Sequence, residues 1–125
     1  MRFHHVQLAI PPEGEGRARR FWVDLLRFEE IPKPEPLGAR GGLWARSGDA
    51  EVHLGVEEPF TPARKAHPAF LVDGLDGFLE RLEATGHPVV PDDLLPGHRR
   101  IYLDDPFGNR IELIQVRPAG PGDSG

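Results

Sequence analysis

Four side chains in this sequence have the types and spacing to hold a metal ion: His5, His53, His67 and Glu112. Cysteine is absent, so neither a disulfide framework nor thiolate ligands can form, and any metal must be bound by His, Asp, Glu or water. Three imidazoles and a carboxylate suit a divalent zinc, iron, nickel, cobalt or manganese ion better than calcium or magnesium, which prefer all-oxygen shells. Three protein ligands suffice for a catalytic site and leave positions open for water or a chelating substrate. Taken singly, a strand histidine is usually hydrogen-bonded or half-exposed, and an outward Glu in a hairpin usually faces solvent. Joint placement favours the metal.

That placement comes from an internal repeat. His4 to Ile10 alternates as a strand, and Pro11 and Pro12 stop it. From Gly16 to Phe28 the apolar residues Ala18, Phe21, Trp22, Leu25 and Leu26 mark one face of a helix. A short strand around Glu29 to Ile31, a Pro/Gly-rich loop from Pro32 to Gly42, and two strands, Gly42 to Arg46 and Glu51 to Val56, complete a first module. After a linker from Glu57 to Ala66 the same order returns. His67 to Val72 reads as a strand, and Asp73 as the N-cap of a helix carrying Leu75, Phe78, Leu79 and Leu82, stopped by Gly86. A short strand at Pro88 to Val90, a loop, and a hairpin of His98 to Leu103 with Arg110 to Gln115 follow, turning at Pro106 to Asn109.

The expected fold is therefore α+β, two tandem βαβββ modules at about 3–56 and 66–116, in one domain spanning 1–117. Residues 118–125, rich in Gly, Pro and Ser, are expected to be a disordered tail. Superposing the modules places Trp44 on Tyr102, His53 on Glu112 and His5 on His67, with ligand separations of 48 and 45 residues. Glu112 sits between aliphatic neighbours in a core-forming strand, where an unpaired charge is costly. Two ligand positions per module can then point into one cleft, if the modules pair about a pseudo-twofold axis.

Composition narrows the function classes. A formal net charge of -5 argues against a nucleic-acid partner, which calls for a basic surface. No apolar run approaches the roughly 20 residues that span a bilayer, and Met1-Arg2-Phe3-His4 lacks a following signal-peptide core. No membrane partner is expected, and a cytoplasmic location is the default.

With these residues in view, the sequence resembles the vicinal oxygen chelate superfamily of glyoxalases, extradiol dioxygenases, fosfomycin-resistance transferases and bleomycin-binding proteins. The resemblance spans about residues 3 to 116. It rests on His4-His5-Val6-Gln7-Leu8, on His67-Pro68-Ala69-Phe70, and on Tyr102-Leu103-Asp104-Asp105-Pro106-Phe107-Gly108-Asn109-Arg110-Ile111-Glu112-Leu113. It implies metal ligands at His5, His67 and Glu112, and a fourth at His53, where glyoxalase I enzymes normally carry Glu. It also implies a homodimer, with a cleft built within one chain or across two. Gln7, Trp44 and Tyr102 are candidate substrate contacts, and Glu112 doubles as a candidate catalytic base. Arg40 and Arg100, with Arg64, Lys65 and Arg99, are candidates for drawing in an anionic small-molecule substrate. His4, His87 and His98 have no repeat partner at a ligand position and are read as structural or exposed.

Two function classes follow. One is a metal-dependent lyase, isomerase or dioxygenase acting on a substrate that chelates the ion through vicinal oxygens. The other is a bleomycin-resistance-like protein that binds a small planar ligand without catalysis.

Overall fold

The computed structural model describes residues 1–117, so the tail expected at 118–125 lies outside the described residues. Strand β1 (Val6–Ile10) leads to helix α1 (Glu15–Arg19), which runs on as a π-helical segment, Arg20–Leu25. The strands β2 (Glu29–Ile31), β3 (Leu43–Ser47) and β4 (Ala50–Val56) close the first module. The second repeats the order with β5 (Ala69–Leu71), α2 (Leu75–Ala84), β6 (Val90–Asp92), β7 (His98–Asp104) and β8 (Arg110–Val116). Two four-stranded mixed sheets result, β1-β4-β3-β2 and β5-β8-β7-β6. In each the first strand runs parallel to the last and the remaining pairs are antiparallel.

Strand alternation decides which side chains meet. Leu43, Ala45, Val52 and Leu54 in one sheet, and Ile101, Leu103, Ile111 and Leu113 in the other, point into one core shared by both modules. The helices supply the rest of that core, and Phe70 joins the halves by packing edge-on against Trp22 and Phe28. The opposite faces carry equivalent rows. Gln7, His53 and Trp44 lie side by side in the first sheet, as Ala69, Glu112 and Tyr102 do in the second.

Several boundaries differ from the sequence reading. The first helix stops at Leu25 because the bond from Leu26 N–H to the Phe21 carbonyl widens its last turn and Arg27 takes φ +65°. That shift leaves Leu25 half-buried while Leu26 is enclosed. Asp73 is not the cap of α2. Gly74 holds that position, and the Leu75 amide is instead capped by the Gln115 side chain at 2.8 Å. The strand expected over His67 to Val72 pairs only from Ala69 to Leu71, the one expected at Pro88 to Val90 runs from Val90 to Asp92, and Leu37–Arg40 forms a short 3-10 turn in the Pro/Gly-rich loop.

The turn between β7 and β8 is a buried polar knot. Asp105 accepts from the Phe107 and Asn109 amides, each at 2.9 Å, and from Asn109 Nδ2 at 2.8 Å. Asn109 also donates to the Ala9 carbonyl and accepts from the Ala63 amide, both at 2.9 Å. The turn thus ties the end of β1 to the inter-module linker, just ahead of His67. Burial raises the Asp105 pKa against the pull of those donors.

Candidate functional site

The four predicted ligands fall into two pairs, one on each sheet. Among the described residues no group of three or more His, Asp or Glu side chains could hold a metal. A single chain therefore holds the candidates as two separate pairs rather than as one gathered set.

On the second sheet, His67 Nε2 lies 2.9 Å from Glu112 Oε1, and His67 Nδ1 lies 3.0 Å from the Lys65 carbonyl. A carbonyl only accepts, so Nδ1 carries the hydrogen. In the neutral ring Nε2 then has a lone pair aimed at a carboxylate oxygen, and a positive charge must lie between them, either a proton or a cation. Two ligand atoms about 2.1 Å from one ion at a right angle lie about 3 Å apart, so the pair has the spacing of adjacent metal ligands. Glu112 is only 4% exposed. Its other oxygen is 3.4 Å from the Arg100 guanidinium, which also meets Asp92 at 3.2 Å. Tyr102 packs edge-on to His67, with Arg100 and Arg110 over its ring.

On the first sheet, His53 stacks on Trp44 at 3.7 Å and on His5 at 3.9 Å between ring centres. His53 Nε2 lies 2.6 Å from Glu51 Oε2, and His4 Nδ1 lies 2.8 Å from His5 Nδ1. Desolvation first, then the neighbouring His53 and His4, hold the His5 pKa below the ordinary imidazole value, which favours the neutral, ligating form. The hydrogen bond to His53 lowers the Glu51 pKa and keeps it an ionised acceptor. A cleft of about 1210 Å³ runs between the modules, lined by Gln7, Glu51, His67, Ala69 and Leu71 among others.

Of the expected substrate contacts, Gln7 lines that cleft, Trp44 touches His53, and Tyr102 and Arg100 surround the His67–Glu112 pair. Arg40 stands apart, exposed on the Leu37–Arg40 turn with no hydrogen bond to a candidate ligand among the described residues. The sequence reading gave Glu51 no role and took His4 as structural or exposed, and His4 is exposed. Glu51 was within reach, since two residues apart on a strand means one face. His4 touches His5, whereas His87 and His98 bond to backbone carbonyls, of Asp104 and Pro96. No helix of the described residues is long and apolar enough to cross a membrane.

The chain is similar to a glyoxalase-family protein from Bacillus anthracis, with 45% identity, a TM-score of 0.91, and 94% of this chain and 96% of that chain covered. It is also similar to TnmS3, an antibiotic binding protein from Streptomyces sp. CB03234, at 25% identity and TM-score 0.70, covering 93% and 98% of the two chains. The fosfomycin resistance protein FosX from Listeria monocytogenes shares the fold at 18% identity and TM-score 0.71, over 92% and 93%. No curated protein matches the sequence. The family model for the glyoxalase/bleomycin resistance protein/dioxygenase superfamily matches residues 2–113. Its span takes in both repeats and all four candidate ligands, and the chain belongs to that superfamily.

Proposed function

We propose that this protein is a divalent-metal-dependent enzyme whose site forms between two copies of the chain. His5 and His53 of one copy face His67 and Glu112 of the other. The His67–Glu112 contact carries the reading: an imidazole nitrogen and a buried carboxylate oxygen lie 2.9 Å apart, the separation of neighbouring metal ligands, in a place where a proton or a cation must bridge them. Two copies are invoked because one chain leaves the half-sites apart. The outer edges of β1 and β5 are unpaired among the described residues, with Phe3 and Leu71 beside them 80% and 68% exposed.

A bound divalent ion would supply a Lewis acid for a substrate with two adjacent oxygens, stabilising negative charge that develops on them. Arg100 would orient an anionic substrate from beside Glu112, and Tyr102 beside His67 and Trp44 beside His53 would flank it. Glu112 would move a proton at its Oε2 atom. Purified protein is expected to carry about one divalent metal per chain by elemental analysis, and His5→Ala or Glu112→Ala should lose it. Full occupancy in both variants would overturn the proposal.

The likeness to TnmS3 favours a second reading, capture of a small planar ligand without catalysis. Ligand binding undiminished after chelation, and weakened by Trp44→Ala or Tyr102→Ala, would select it.

A further inference from the structure

We propose that Glu51 is the positioning residue of this site, fixing the His53 ring so that Nδ1 is the atom offered to the ion. The inference rests on the metal-site reading above. Trp44 on β3 and His5 just ahead of β1 come from the two sides of β4, at interplanar angles of 1° and 19° to His53, so both faces of its ring are covered. The residue is 6% exposed and cannot reorient freely. Its Nε2 is 2.6 Å from the Glu51 carboxylate. A carboxylate accepts, so Nε2 carries the hydrogen, and in the neutral ring the lone pair is then on Nδ1. Among the described residues Nδ1 has no hydrogen-bond partner, and it is not among the buried unpaired atoms. It is the open edge of an otherwise enclosed ring.

This is the arrangement of a ligating histidine held through its other nitrogen by a carboxylate, where losing the outer partner weakens metal binding about 10–100-fold. His67 is held in the same manner by the Lys65 carbonyl, through Nδ1. The two imidazoles thus present different nitrogens, Nδ1 from position 53 and Nε2 from position 67. The strand register has this effect, because the partner of His53 lies on its own strand two residues back.

The test titrates metal-free, full-length protein with Co(II), following visible absorption, with Zn(II) competition for tight binding. Glu51→Ala should weaken Co(II) binding about 10–100-fold, and Glu51→Ala/His53→Ala should bind no more weakly than His53→Ala alone. Nitrogen-detected NMR of the metal-free protein should show His53 as the Nε2–H tautomer, and Glu51→Ala should mix the tautomers. Thermal melts establish that each variant is folded. Wild-type affinity in Glu51→Ala, an unchanged His53 tautomer, or losses that add in the double variant would each overturn the assignment. Additive losses would make Glu51 an independent ligand. If His5→Ala and Glu112→Ala abolish binding while Glu51→Ala does not, the inference falls and the metal site stands. Undiminished binding in His5→Ala and Glu112→Ala overturns both.

Discussion

Replacing Asn109 with Ala probes whether the polar knot at the β7–β8 turn holds the linker in place. Asn109 is 1% exposed, and its amide makes three side-chain bonds, to the Ala63 amide, the Ala9 carbonyl and Asp105 Oδ2. Truncation strands all three partners, one of them a carboxylate that burial already disfavours. At about 1 to 1.5 kcal/mol for each bond, the loss comes to about 3–4.5 kcal/mol. For a domain of this size that is a fall in Tm of about 12–18 °C. Guanidinium unfolding and thermal melts measure the loss, and hydrogen exchange localises it, because the Ala63 amide should lose its protection. His67 follows the Ala63 anchor closely, so the variant should also bind metal more weakly. A loss below about 1 kcal/mol, with Ala63 still protected, would refute the reasoning.

Gly42 has φ +79°, and a β-carbon there would come within 2.0 Å of the Leu54 carbonyl oxygen. Gly42→Ala should therefore cost at least about 3 kcal/mol in chemical denaturation; a near-neutral result would show that the β3 entrance shifts freely. The Gly42 amide donates to Glu15 at 3.0 Å and is the first cause of that carboxylate's lowered pKa. A lowered folded pKa stabilises above the ordinary value of 4.5 and is lost as pH falls through the folded value. The stability gap between wild type and Glu15→Gln should accordingly narrow below that pH, and a constant gap would exclude the linkage. Arg100→Ala removes a cation from Glu112, so metal affinity should rise several-fold while binding of an anionic ligand falls. Calorimetry showing both falling would place Arg100 in a purely structural role.

What the sequence revealed was set by local periodicity. Alternation along Leu43-Trp44-Ala45 and Ile111-Glu112-Leu113 fixes which residues share a face, and the observed pairing of Trp44 with His53 and of Tyr102 with Glu112 follows from it. Features made by distant contacts were not legible. Gln115 caps α2 from a strand 40 residues further on, and no local signal competes with Asp73 for that role. The widened helical turn moved Leu25 off the buried face although its spacing was ideal for a regular helix. The Asp105–Asn109 pair read only as turn residues, because its partners Ala9 and Ala63 come from other parts of the chain. Periodicity matches positions between repeats but does not bring their sheets face to face, so it aligned the candidate pairs without showing that one chain keeps them apart.

Since each module carries its own pair of candidate donors, the proposed site makes lesions in the two modules separable. In the two-chain arrangement, a subunit lacking His5 and another lacking Glu112 would pool their defects at one centre of a mixed dimer and leave the other intact. Co-expression of two inactive alleles would then restore activity to half the centres in every such dimer, a form of genetic complementation closed to any enzyme whose ligands all come from one subunit.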